Sequence, residues 1–254
     1  MKKALITGSS EGIGHCLAKK LAAEGYQITA VARTESKLQA LVQELGLEHC
    51  FIVADLSTSQ GQDKIAAALT ANHYDLLVNN AGVGAVGYFA EAPLDKQMAM
   101  TRLNIDALVK LSHAYLKNAK SGDALVNVSS NLAFLPMPGI GLYSATKAFV
   151  TSFSEALWFE NKSRGVYVMG FCPGLTATNF QVNAGGKKDD VPSALSQTTD
   201  EVAHNILKGL KKRSRPTVIS GAKNALMAGI TRVISRKRAI NMMGGMAKKM
   251  PPSP

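Results

Sequence analysis

Residues 2 to 25 read KKALITGSSEGIGHCLAKKLAAEG and carry three signals in succession. KALIT is a short aliphatic run without polar alternation, the pattern of a strand covered on both faces. TGSSEGIG, residues 7 to 14, is a glycine-rich turn. IGHCLAKKLAAEG has helical spacing and stops at Gly25, a residue suited to the left-handed position after a helix. In this order Gly8 permits the tight turn, Gly12 lets backbone approach a pyrophosphate, and Gly14 lets helix and strand pack closely. The helix N-terminus offers N–H groups and a positive dipole end to the phosphates. A glycine-rich connection needs no ligand; position gives this one its meaning, because it is the first turn between the first strand and the first helix.

The same alternation continues along the chain. The further apolar runs are YQITAVA, CFIVADL, YDLLVNN, ALVNVSS, VYVMGFC and PTVIS, each short and aliphatic or β-branched. Helical patterns lie between them. TESKLQALVQELG stops at Gly46, and TTDEVAHNILKGLKK opens with a capping box from Thr198 to Glu201. Strand, helix, strand repeated in this way predicts an α/β fold with a doubly wound parallel, Rossmann-like sheet. Residues 1–221 read as one nucleotide-binding and catalytic domain, and residues 222–254 as a basic C-terminal helical extension.

Composition narrows the class. Of 254 residues, 46% are hydrophobic and 19% charged, as in a globular chain with a substantial core. Cys16, Cys50 and Cys172 are widely spaced, with neither a disulfide framework nor a metal spacing. No metal site is expected, and a reducing cytoplasm fits. The apolar run after Lys2 and Lys3 ends at Gly8, too soon for a signal peptide. No run approaches the roughly 18 apolar residues that span a bilayer.

The net charge of +11 belongs to one end. Twelve basic residues follow Lys208 inclusive, and the last acidic residue is Glu201; this leaves 17 of the 29 Lys and Arg against 18 acids elsewhere. In the tail, Leu226, Ile230, Val233, Ile234, Ile240, Met243 and Met246 fall near helical spacing, with Arg232, Arg236, Lys237 and Arg238 between them. A helix packed on the body or on another subunit, and an amphipathic helix lying on an anionic membrane, both fit. Gly244 and Gly245 are expected to interrupt that helix. Nucleic-acid binding lacks aromatic interleaving or a motif.

YSATK, residues 143 to 147, places Tyr143 and Lys147 one helical turn apart on one face. With TGSSEGIG, this motif has four companions in order: NNAG at 79–82, Asn104 in TRLNIDALVKL, Ser130 thirteen residues before Tyr143, and PGLTAT at 173–178. In these features the chain resembles the short-chain dehydrogenases/reductases over roughly its first 220 residues.

The resemblance implies an NADP(H)-dependent oxidoreductase that reduces a carbonyl or oxidises the corresponding alcohol. Asn104, Ser130, Tyr143 and Lys147 would be its catalytic groups. Tyr143 would be the proton donor, its phenol brought down from ~10 by the Lys147 charge. Ser130 would donate a second hydrogen bond to the substrate oxygen, and Asn104 would hold a water behind Lys147. On strand alternation alone Ser129 is a competitor of Ser130; the interval to Tyr143 favours Ser130. His113 reads as surface or packing, and Cys172 as a small core residue.

The cofactor would be held by Gly8, Ser10, Gly12, Ile13 and Gly14 of the loop, by Arg33, and by Asp55 and Leu56 after the third strand. Asn80, Ala81 and Gly82, then Tyr143 and Lys147, and finally Pro173, Gly174, Thr176 and Thr178 would complete its site. No acid stands at Ala32, Arg33 or Thr34 to take a ribose 2′-hydroxyl, and the Arg33 guanidinium suits a 2′-phosphate, which points to NADP. Glu11, where a second basic residue often stands in such enzymes, points the other way. Val86, Phe89, Leu132, Phe134, Met137 and Phe180 would make an apolar substrate pocket, with NFQVNAGGKKDDVPSALSQ as a lid. Homodimers or homotetramers are common in the family. A catalytically silent NADP-binding sensor or scaffold is the competing reading, disfavoured by the complete catalytic set. A nucleotide-sugar enzyme of the extended branch would need a different glycine spacing and a larger C-terminal domain.

Overall fold

The computed structural model describes residues 1–185, 196–231 and 234–247. Its strands are β1 Lys2–Thr7, β2 Tyr26–Ala32, β3 Cys50–Val53, β4 Leu76–Asn79, β5 Ala124–Val128, β6 Tyr167–Cys172 and β7 Thr217–Ile219. Each falls in one of the seven apolar runs. They form one parallel sheet in the order β3-β2-β1-β4-β5-β6-β7. From β1 the chain first builds outward to β3, then returns to lay β4 on the other side of β1. Such a reversal opens a crevice at the carboxyl ends of the central strands.

The helices are α1 Gly12–Ala23, α2 Glu35–Leu45, α3 Ser59–Ala71, α4 Leu94–Thr101, α5 Leu108–Asn118, α6 Gly141–Glu160, the single turn α7 Phe180–Asn183, α8 Thr199–Lys212, α9 Ala222–Ile230 and α10 Arg236–Ala247. Successive strand residues face opposite ways, and both faces are covered. Ala4, Ile6, Ile28, Val126 and Phe171 pack with Leu17, Leu21, Leu38, Val202 and Ile206 of α1, α2 and α8. Leu5, Val31, Leu77, Leu125 and Val168 pack with Ile65, Leu69, Leu111, Tyr115 and Leu157 of α3, α5 and α6. This two-sided burial is why the strands read as unbroken apolar runs.

Helix ends follow local chemistry. α1 and α2 end at Gly25 (φ +84°) and Gly46 (φ +121°). At α8, the Thr198 hydroxyl accepts from Glu201 N at 3.1 Å and the Glu201 carboxylate accepts from Thr198 N at 2.8 Å, the capping box read from the sequence. The tail departs from expectation. It forms two helices, and α10 runs through Gly244 and Gly245 without interruption. α10 buries Ala239 and Met243 against Leu135 and Met137 of the loop before α6, with Ile234 packed beside them. Arg232, Val233, Lys248, Lys249 and lid residues 186–195 lie outside the described residues.

Candidate active site

The candidate cofactor-binding residues gather at the carboxyl edge of the sheet. Gly8, Ser10, Gly12, Ile13 and Gly14 form the β1–α1 turn. Arg33 is exposed just past β2, and Asp55 and Leu56 follow β3. Asn80, Ala81 and Gly82 follow β4, Ser130 follows β5, and Pro173, Gly174, Thr176 and Thr178 follow β6.

The glycine turn is locked from below. Gly8 has φ +70°, and a side chain there would strike Asn80 Nδ2 and Ala81 Cα at 2.9 Å. A Cβ at Gly14 would sit on the Gly8 carbonyl oxygen. Asn80 Nδ2 donates to Thr7 O at 2.8 Å and Gly8 O at 3.1 Å, and the Thr7 hydroxyl accepts from Asn80 N and Ala81 N, both at 3.0 Å. The Asn80 amide therefore braces the turn. The Leu56 side chain is likewise committed to the core, so only its backbone is available. No side chain caps the α1 N-terminus, so its first N–H groups are free to take a phosphate. Burial raises the Asp55 carboxyl, but the hydrogen bonds from Ser57 OH and N–H, helped by Arg33, hold it below its ordinary value, as an acceptor.

The catalytic candidates converge from three elements. Between α4 and α5, Arg102–Ala107 wind as a π-helix, a form that recurs at functional sites. It presents Asn104, whose Nδ2 donates to Val83 O at 3.0 Å and Thr146 Oγ1 at 3.1 Å while its Oδ1 accepts from Val83 N at 3.1 Å. A Cβ on Gly82 would lie 3.2 Å from Asn104 Oδ1 and 3.3 Å from Lys147 Nζ, so the two side chains meet above Gly82. Lys147 Nζ donates to Val128 O at 2.9 Å and lies 5.7 Å from the centre of the Tyr143 ring. The Ser130 hydroxyl accepts from Leu132 N at 3.2 Å and stands close enough to Tyr143 to pull its phenol downward. Ser129 points away, donating to Lys147 O at 2.7 Å and meeting the Thr151 hydroxyl at 2.7 Å. Phe180 closes over the phenol, ring centres 5.5 Å apart.

Burial dominates the electrostatics. It pushes the Tyr143 phenol up to about 12, with the Ser130 hydrogen bond pulling the other way. It brings the Lys147 ammonium down to about 8. The expected lowering of the phenol below ~10 is thus not found here. Loss of water on burial outweighs the downward pull of Ser130. His113 is exposed and Cys172 fully buried, as read from the sequence.

Two residues had escaped notice, Thr146 and Lys37. Thr146, inside YSATK, accepts from Asn104; only the fold brings the two together. Glu11 is bonded by Lys37 Nζ at 3.0 Å, by Asn179 Nδ2 at 3.4 Å and by Asn183 Nδ2 at 3.3 Å. The Lys37 bond holds the Glu11 carboxyl below its ordinary value. Lys37 lies in the first turn of α2, just past Arg33. A cleft of about 550 Å³, lined by Lys2, Tyr26, Gly122 and Arg213, lies at the opposite, amino edge of the sheet, away from these groups.

Comparison with known proteins agrees with this geometry. A family model described as short chain dehydrogenase matches residues 2–189. The very-long-chain 3-oxoacyl-CoA reductase of Mus musculus is 30% identical over 97% of this chain and 80% of its own. The 7beta-hydroxysteroid dehydrogenase of Mediterraneibacter gnavus is 30% identical over 87% of this chain and 86% of its own. A short-chain dehydrogenase from Sphingobium yanoikuyae in complex with NADPH superposes with a TM-score of 0.81 at 28% identity, covering 92% of this chain and 96% of that one. With the glycine turn, the buried Tyr–Lys pair and the sheet order in agreement, the chain belongs to the short-chain dehydrogenase family.

Proposed function

We propose that this protein transfers a hydride between NADP(H) and an apolar carbonyl compound or the corresponding alcohol, working as a carbonyl reductase where NADPH is supplied. The observation that carries this reading is the meeting of Ser130, Tyr143, Lys147 and Asn104 beside an uncapped glycine turn. A silent nucleotide-binding scaffold has no use for such a set.

The bound nicotinamide supplies the hydride. As the substrate oxygen gains negative charge, Tyr143 donates its phenolic proton; a pKa near 12 keeps that proton in place at neutral pH. Ser130 donates a second hydrogen bond to the same oxygen. Lys147, fixed by Val128 O and still cationic at neutral pH, stabilises the phenolate as it forms. Asn104, held by Val83 and Thr146, carries a water that returns the proton, by analogy with the family.

Arg33 supports NADP over NAD, and Lys37, anchored by Glu11, brings a second cation toward the same side of the turn. Kinetics with NADPH and NADH on one apolar ketone should favour NADPH, and Arg33→Ala should erode the preference by about 1.5–3 kcal/mol. Equal efficiency with both cofactors in the unmodified protein would overturn this part.

Half-buried Val86, Leu132, Phe134 and Phe180 support an apolar ketone or acyl chain as substrate, whereas Met137 is buried under α10 and Phe89 stands exposed. The oxoacyl and steroid substrates in the relatives' names agree. The protein works as a homo-oligomer. Ala145, Phe149, Ser152, Ala156 and Phe159 form an exposed stripe along α6 at helical spacing, with Phe159 74% exposed. The basic tail meets an anionic membrane surface.

A further inference from the structure

α9 carries its apolar stripe on the outside. Leu226, Met227 and Ile230 fall at helical spacing and all are exposed, Leu226 by 67%, whereas Ala228 alone is buried. A helix packed on its own body does the reverse. α10 opens with Arg236, Lys237 and Arg238, all exposed, and has no acid in its first turn. Cations at a helix N-terminus oppose the helix dipole, so they do not serve the helix itself.

Position adds to this. Through Ala239 and Met243, α10 is seated on Leu135 and Met137, in the loop that joins Ser130 to Tyr143. On the same loop, Gly139 O accepts from Gly87 N at 2.7 Å, which sets exposed Tyr88 and Phe89 beside it. The loop leading to Tyr143 therefore has exposed Tyr88 and Phe89 on one side and α10, with its three cations, seated on it, on a stretch of chain with no acidic residue after Glu201.

We infer that α9, by its apolar stripe, and α10, by its cations, dock on an anionic lipid surface with the loop before Tyr143 turned toward the bilayer, so that an apolar carbonyl substrate passes from lipid to Tyr143. This rests on the carbonyl-reductase reading for the identity of the cleft. Charge selects the occupant. A second copy would set these cations against their own kind. A nucleic acid would meet the cations but leave Leu226, Met227 and Ile230 in water. A bilayer receives the apolar stripe at its acyl boundary and the cations at its headgroups. No described helix is long and apolar enough to cross a membrane, so the contact lies along the surface.

The test is sedimentation of the full chain with phosphatidylcholine vesicles of rising phosphatidylserine content, at low and high salt. Partition should rise with phosphatidylserine and fall with salt. Replacing Arg236, Lys237 and Arg238 together by Gln should lower it on the order of 100-fold. Leu226→Ser with Met227→Ser and Ile230→Ser should also release the protein. Both variants should oxidise NADPH with a water-soluble ketone at the unmodified rate, which shows that they are folded. Protein that stays in the supernatant at low salt, or serine and glutamine variants that partition like the unmodified chain, would overturn the docking. So would a serine variant whose only change is loss of its oligomeric state, since that assigns the face to contact between copies. Sedimentation without any ketone reduction would leave the docking standing and remove the reductase reading instead.

Discussion

Lys147 is charged in a place that disfavours charge. Lys147 is 5% exposed, and burial brings its ammonium down to about 8, against an ordinary lysine value of 10.5. The unfolded chain therefore holds this proton more tightly than the folded one, and the charged lysine costs stability at neutral pH. Lys147→Met should raise unfolding free energy in urea by about 1–3 kcal/mol at neutral pH, while abolishing turnover. The gap should close as pH rises from about 8 toward 10.5, because by then the lysine is neutral in the folded and the unfolded chain alike. Reduction by the unmodified enzyme should fall as pH rises through about 8, and the phenol, near 12, should add no second limb in that range. A pH–rate profile flat across this region would count against the role given to Lys147. The spacing in YSATK shows that Tyr143 and Lys147 share a face. It does not show the sign of the phenol's shift, because burial comes from α6, Phe180 and β5 together. Thr146 was hidden for the same reason, since its partner Asn104 lies 42 residues away in the chain.

At the scale of elements, the seven strands and the ends of α1 and α2 were legible because their causes are local: apolar runs, and glycines with positive φ past the last turn. The capping box of α8 was legible for the same reason. Thr198→Ala should cost about 1 kcal/mol in thermal or urea unfolding, without changing turnover on a soluble ketone. The β1–α1 turn is less forgiving. Gly14→Ala would drive a methyl into the Gly8 carbonyl oxygen and the Asn80 amide, so NADPH affinity measured by fluorescence should fall together with stability. Two elements were not legible. The π-helix at Arg102–Ala107 has no signature in its periodicity; the bonds from Asn104 to Val83 accompany it, and these are set by the fold. α10 continues through Gly244 and Gly245 at a propensity cost of about 1 kcal/mol each, which burial of Ala239 and Met243 on Leu135 and Met137 helps offset.

Across the whole molecule, the reversal of the sheet at β1 and β4 decides where chemistry happens, and the polar groups that matter are gathered at that edge. The sequence announced this arrangement through the order of its motifs, because in a doubly wound sheet each strand delivers its following loop to the same side. It could not announce which surfaces remain uncovered. The stripe on α6 and the outward stripe on α9 are both apolar at helical spacing, as a core helix would be, and only the assembled fold shows that they face out. Phe149→Glu with Phe159→Glu should shift the protein toward monomer in light scattering, since each copy would place a charge in the contact. The central claim is that a nicotinamide hydride and the Tyr143 proton are delivered to one carbonyl. It is tested most directly by mixing the NADPH complex with an apolar ketone and following NADPH loss against alcohol formed, for the unmodified protein and for Tyr143→Phe, with NADPH affinity measured in parallel. The account predicts matched consumption and formation in the unmodified protein, and turnover lower by about 100-fold or more in Tyr143→Phe at near-normal NADPH affinity. Undiminished turnover in Tyr143→Phe would contradict it.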